Sequence, residues 1–103
     1  MSLNSALLTT TISNIFVSTG TTAVTTLYIT NYSTTSNVTF SLYAVTSGGS
    51  PSNTNKIYSN VFVTAGDTYI IDSERLILDN NESLRASTNA NSICSATLSY
   101  TTI

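Results

Sequence analysis

Charged side chains are scarce in this chain, and the first 55 residues contain no Asp, Glu, Lys, Arg or His. The whole sequence has no His and no Trp, and it holds only three basic and five acidic residues. A Ser–His–Asp arrangement is therefore impossible, and few groups remain that titrate near neutral pH or ligate a metal. We predict that the protein is not an enzyme and has no catalytic residues, no metal site and no cofactor.

The charge balance also argues against two classes of partner. The net charge is −2, and the only basic residues, Lys56, Arg75 and Arg85, form no basic stripe. We therefore expect binding neither to nucleic acid nor to a membrane. Residues 1–11 lack the basic start and long apolar run of a signal peptide, so no cleaved leader is expected.

Cys94 is the only cysteine, which excludes an internal disulfide. It alternates with Ala96, Leu98 and Tyr100, so we interpret it as a small buried apolar residue. An intermolecular disulfide or a reactive thiol remains the alternative.

Hydroxyl and amide side chains take the place of charge. The chain has 20 Thr, 17 Ser and 11 Asn, together 48 of 103 residues. Two interpretations are open: Thr-rich strands suffice for solubility, or much of the surface is covered in an assembly.

The hydrophobic pattern has a period of two, which is typical of strands buried on one face. Thr, Val, Ile, Tyr and Phe, all common here, also favour strands. Three segments show the alternation, and their predicted inward faces are Ala23, Thr25, Leu27 and Ile29; Val38, Phe40, Leu42 and Ala44; and Cys94, Ala96, Leu98 and Tyr100.

Turn signals divide the chain into short strands. Residues 47–55 hold two glycines and the only proline and predict the longest loop, while Ala65-Gly66-Asp67 predicts a tight hairpin turn. The strands are expected near 11–17, 22–31, 37–46, 57–64, 68–72, 75–78, 83–88 and 93–102.

This organisation predicts an all-β protein, an antiparallel β-sandwich of about 7–8 strands, either immunoglobulin-like or jelly-roll-like. Residues 11–103 would form a single sandwich domain, and residues 1–10 are a candidate N-terminal arm that reaches over a neighbouring subunit. The predicted core is Leu27, Ile29, Val38, Phe40, Leu42, Leu84, Ala96 and Leu98.

The five acids all lie between residues 67 and 82: Asp67, Asp72, Glu74, Asp79 and Glu82. We interpret them as turn and strand-end residues, with Arg75 free to form a surface ion pair with Asp72 or Glu74. A calcium site is the alternative, but Asp79-Asn80-Asn81-Glu82 lacks the spacing and the glycine of an EF-hand loop.

Residues 22–103 resemble small virion structural proteins of tailed bacteriophages, notably those of cyanophages. The resemblance is carried by Ala65–Asp72 (AGDTYIID), Leu76–Ser87 (LILDNNESLRAS) and Ser95–Tyr100 (SATLSY). The segments Leu27–Asn31 and Val38–Val45 are also similar.

The resemblance implies a virion location, on the capsid surface or at the neck or tail, and no catalytic residues. We expect a capsid decoration (cement) protein whose partners are the major capsid protein or other virion proteins. A homo-oligomer is expected, with a trimer favoured by analogy with capsid threefold positions. Alternatives are a neck- or tail-associated protein, a carbohydrate-binding or adhesin module, and an ice-binding protein.

Overall fold

The computed structural model describes residues 2–71, 76–91 and 93–102 of the chain. These residues form nine strands: β1 (Ser2–Leu8), β2 (Ser13–Val17), β3 (Thr22–Asn31), β4 (Val38–Val45), β5 (Lys56–Val63), β6 (Thr68–Ile71), β7 (Leu76–Leu78), β8 (Ser83–Thr88) and β9 (Cys94–Thr102). The bounds agree closely with the expected strands, apart from β1, which was not expected.

Two antiparallel sheets pack face to face, so the predicted β-sandwich is confirmed. Sheet I has the order β1-β9-β3-β6, and β7 pairs with the first half of β3. Sheet II has the order β2-β8-β4-β5. The molecule measures 40 × 28 × 20 Å along its principal axes.

The order of the strands distinguishes between the two expected kinds of sandwich. Among the described strands, β4 and β5 are the only consecutive pair joined as neighbours in one sheet. An immunoglobulin-type sandwich places several consecutive strands side by side. Here the chain instead crosses between the sheets at nearly every connection, and β6 and β7 together occupy one strand position. This is the strand order of an eight-stranded jelly roll.

The core lies between the sheets, and it contains all eight of the predicted core residues. Phe40 is the largest fully buried side chain, and its ring contacts those of Tyr58 and Tyr69 at centroid distances of 6.4 and 5.6 Å. Tyr69 belongs to sheet I whereas Phe40 and Tyr58 belong to sheet II, so this aromatic cluster holds the two layers together.

The predicted face of β3 is right in its second half and wrong in its first. Leu27 and Ile29 are buried as expected, but Val24 is buried in place of Ala23 and Thr25. A β-bulge causes the change, since Val24 pairs with Tyr100 while Thr26 pairs with Ser99. The extra residue reverses the alternation along the strand.

The N-terminal segment was expected to be an arm, and in the structure Ser2–Leu8 is a strand instead. All seven residues pair with β9, from Ser2 opposite Tyr100 to Leu8 opposite Cys94. Leu8 is completely buried, and the Asn4 side chain donates to the Ile15 carbonyl at 2.6 Å across to sheet II. Residues 2–8 are therefore part of the sandwich and do not extend away from it.

The turn at residues 65–67 is present, but it does not form the predicted hairpin. Gly66 has a φ of +76°, which glycine adopts without strain, and the Asp67 amide donates to the Thr64 carbonyl at 2.9 Å. The strands on either side of this turn, β5 and β6, lie in different sheets. The turn residues therefore determined the local bend, and the packing of the sheets determined which strands pair.

Candidate interaction face

Charge is distributed unequally between the two sheets. The strands of sheet I contain no Asp, Glu, Lys or Arg. Sheet II carries Lys56 on β5 and Arg85 on β8. The acids within the described ranges, Asp67, Asp79 and Glu82, lie in turns. The described strands of sheet I therefore present only neutral side chains on their outward face, which is called here the uncharged face.

The strand register places hydroxyl and apolar side chains side by side on the uncharged face. Thr97 on β9 lies opposite Ser5 on one side and Tyr28 on the other, and Tyr28 lies opposite Ile70. The neighbouring row consists of Leu7, Ser95, Thr30 and Thr68. Within that row the hydroxyls of Thr30 and Thr68 are 3.1 Å apart and hydrogen-bonded.

Five large apolar side chains on the uncharged face are 39% to 70% exposed: Leu3, Leu7, Tyr28, Ile70 and Ile77. They alternate along their strands with side chains that point into the core, so the fold itself turns them outward. Single exposed apolar residues are ordinary on protein surfaces, but several on one charge-free sheet are characteristic of an interaction site.

Sequence reasoning found some of this face and missed the rest. The outward positions of Tyr28 and Thr30 follow from the predicted alternation, whereas Leu3 and Leu7 were assigned to an arm. The hydrophobic pattern carried no signal for this strand, because the inward set Asn4, Ala6 and Leu8 is no more apolar than the outward set Leu3, Ser5 and Leu7.

The outward face of sheet II, unlike the uncharged face, carries positive charge. Tyr43 lies opposite Lys56 on one neighbouring strand and opposite Arg85 on the other. The Lys56 ammonium sits 5.5 Å from the centre of the Tyr43 ring, a cation–π contact. Among the strand residues that the structure describes, one broad face of the sandwich is thus neutral and the other is weakly basic.

The acids that the structure describes form turns. The Glu82 carboxylate accepts a hydrogen bond from the Asp79 amide at 2.8 Å, and the Asp67 carboxylate accepts one from the Thr68 amide at 2.8 Å. Within residues 2–71, 76–91 and 93–102, no three His, Cys, Asp or Glu side chains come close enough to share a metal ion. Asp72, Glu74 and Arg75 lie outside the described residues, so the expected surface ion pair is not tested.

Cys94 is buried, as its alternation with Ala96 and Leu98 predicts. Burial desolvates the thiolate and raises the pKa of the thiol to about 11. A thiol with such a pKa is almost entirely protonated at neutral pH, and the thiolate is the reactive form. The core interpretation therefore accounts for this residue better than a reactive thiol does.

The described part of the chain contains no helix long and apolar enough to cross a membrane. Comparison with known protein families, with curated proteins and with solved structures finds no match for this chain. The resemblance to phage virion proteins therefore rests on the sequence segments quoted above, and the function they imply stays a prediction.

Proposed function

We propose that this protein is a structural component of a tailed-phage particle, a capsid decoration (cement) protein that binds neighbouring capsid subunits through the uncharged face. The observation that carries the proposal is the complete lack of charged residues on the strands of sheet I, combined with outward-facing Leu, Ile and Tyr side chains.

The physical argument concerns the cost of desolvation. A protein that stabilises a shell acts by burying surface against its neighbours, and burying an unpaired charge is far more costly than burying a hydroxyl that finds a partner. Strands lie about 4.8 Å apart and rise about 3.3 Å per residue, so the uncharged face measures roughly 20 by 25 Å. That area is a large part of the roughly 800 Å² that each partner buries in a stable interface.

The fold supports the proposal only by analogy. Jelly rolls occur in viral capsid proteins, but they also occur in lectins and in enzymes of the cupin class. A fold by itself does not specify a function. The argument for a virion role therefore depends on the uncharged face and on the sequence resemblance.

The site on the particle and the oligomeric state belong to the same proposal. A head location is favoured, with the neck or tail as the alternative, and a homotrimer would match the threefold positions of a capsid lattice. The partners would be the major capsid protein or other virion proteins.

A carbohydrate-binding or adhesin module is the second candidate, and one observation favours it. Tyr28 is 39% exposed at the centre of the uncharged face, among the hydroxyls of Thr97 and Thr30. An aromatic ring surrounded by hydroxyls can stack on and hydrogen-bond to a sugar.

A matched pair of charge substitutions tests the proposal. Thr97 and Thr39 are half-buried threonines that point outward from central strands, Thr97 on sheet I and Thr39 on sheet II. A lysine at either position keeps its ammonium in water in the free protein. We expect Thr97→Lys to reduce binding to purified cyanophage heads by about tenfold or more, since the ammonium must lose water at the interface. Thr39→Lys should bind as the wild type does.

Sedimentation of the labelled protein with the heads measures occupancy, and thermal release from the heads measures the strength of attachment. Equal binding by both variants would contradict an interface on the uncharged face. Absence of binding to any virion shell, together with binding to a glycan array that Tyr28→Ala abolishes, would favour the adhesin candidate.

A further inference from the structure

A cavity of about 300 Å³ lies between the two sheets, near the edge formed by β5 on one side and β6 and β7 on the other. Its walls come from both layers of the sandwich. Apolar side chains make up most of them, including Leu27, Leu42, Ile71, Leu76, Leu84 and Tyr58.

Two β-bulges, one in each sheet, border this cavity. In sheet I, Thr25 is the extra residue between the Val24–Tyr100 and Thr26–Ser99 pairs. In sheet II, Ile57 is the extra residue between the Leu42–Tyr58 and Tyr43–Lys56 pairs. Both extra residues line the cavity. Bulges bend strands and redirect side chains, and they are common beside functional sites.

The β3 strand also changes partner at the same place. It pairs with β7 through Val24 and with β6 from Leu27 onward. The two bulges and this change of partner coincide on the side of the sandwich where the cavity lies. Protein interiors normally leave few voids larger than a water molecule, so a space of this size is a distinct feature of the fold.

The lining indicates which kind of molecule would occupy the cavity. No lining residue that the structure describes is charged. The Thr25 hydroxyl lies 2.6 Å from the Ser99 hydroxyl, so this polar group of the lining already has a hydrogen-bond partner within the protein. A dry cavity of roughly 150 Å³ lined by Leu, Ile and Phe is known to bind benzene, and water is held only where several polar groups converge.

We propose that this cavity is a binding site for a small, uncharged, apolar molecule of about 10–15 carbon atoms, a size that follows from scaling the benzene-binding cavity to this volume. The inference is independent of the virion role, because the site lies between the sheets and the uncharged face lies outside them. Ile57 is 44% exposed and marks the entrance at the β5 edge.

Fluorescence titration with N-phenyl-1-naphthylamine, an uncharged probe whose emission rises in apolar surroundings, tests the proposal with the full chain. The expected result is saturable binding of one probe per chain, with a rise in melting temperature that increases with probe concentration. Emission that does not saturate, or no change in either signal, would overturn the proposal.

Two matched pairs of variants locate the bound probe. Val24 is a buried, inward-facing residue of β3 that lines the cavity, so Val24→Trp fills the cavity, whereas Thr30→Trp adds the same ring to the uncharged face from the same strand. Ile57→Asp places a charge at the entrance, and Ile70→Asp places one on the uncharged face, where the side chain is 52% exposed. Val24→Trp and Ile57→Asp should each weaken probe binding by about tenfold or more, since both act on an apolar site.

Thr30→Trp and Ile70→Asp should change the affinity for the probe less than about twofold, since neither residue lines the cavity. The opposite pattern would place the probe on the uncharged face and reject the cavity as its site. The Ile57→Asp result decides the matter if Val24→Trp fails to fold, because Ile57 is 44% exposed on the edge strand β5.

Discussion

The side-chain amide of Asn31, at the end of β3, donates a hydrogen bond to the backbone carbonyl of Val63, at the end of β5, over 3.1 Å. The bond links sheet I to sheet II. The same amide group donates to the Ser36 carbonyl at 2.8 Å, and its oxygen accepts from the Ser33 amide at 3.0 Å. Asn31 is completely buried, so one neutral side chain fixes a corner of the sandwich.

Replacing Asn31 with Ala should destabilise the protein by about 2–4 kcal/mol, because the substitution leaves buried backbone groups without partners. Asn14→Ala is the matched control, since Asn14 is exposed on β2, and its cost should stay within about 0.5 kcal/mol. Urea denaturation of both variants gives the two free energies of unfolding. Equal costs would contradict the role assigned to Asn31.

Phe40→Ala should cost about 3–5 kcal/mol through lost burial and the cavity that remains. Phe62 provides the control, because it is 58% exposed whereas Phe40 is 1% exposed. Phe62→Ala should cost less than about 1 kcal/mol. Chemical denaturation measures both, and a surface-like cost for Phe40→Ala would mean that β4 pairs in a different register.

Two adjacent leucines test whether β1 belongs to the sandwich. Leu8 is completely buried and Leu7 is 51% exposed. Leu8→Ala should cost about 2–5 kcal/mol, whereas Leu7→Ala should have little effect on stability and act instead on particle binding through the uncharged face. If Leu8→Ala leaves the melting temperature unchanged, then β1 does not pack in solution as it does here.

Removal of divalent cations should leave the melting temperature unchanged, because we expect no cation to bind the folded protein. A ligand stabilises a protein only by binding its native state. Differential scanning calorimetry with and without EDTA is the measurement. A fall of several degrees in EDTA that is lost in Asp79→Ala would establish a calcium site at the β7–β8 turn.

Because the pKa of the buried Cys94 thiol is raised, we expect the protein to lose stability at alkaline pH. Its pKa is raised from 9.0 to about 11 by burial. Above pH 9 the unfolded chain releases this proton while the folded protein still holds it, so stability falls as the pH rises from 9 to about 11.

The measurement is the difference in stability between the wild type and Cys94→Ala, which isolates the contribution of the thiol. The wild type should lose more stability than the variant between these pH values, by an amount on the order of 2–3 kcal/mol. Parallel pH profiles for the two proteins would contradict the raised pKa.

The sequence alone determined the features that depend on neighbouring residues. Period-two alternation predicted the strands, because successive side chains of a strand must point to opposite faces. Glycine and polar clusters predicted the turns, as at Gly66, and matching phases along the strands predicted the core around Phe40, Leu42 and Leu98.

Tertiary structure decided everything that depends on residues distant in the chain. Alternation assigns a face but not a partner, so the Gly66 turn was expected to close a hairpin and instead connects the two sheets. The bulge at Thr25 is a feature of pairing with β9, and a single strand carries no sign of the residue at which its ladder slips. The uncharged face joins residues from both ends of the chain, and the cavity lies between two bulges more than thirty positions apart. The sheet pairing, the bulge, the uncharged face and the cavity have the same physical basis. Sheets are assembled from contacts between distant strands, and local propensity does not specify those contacts.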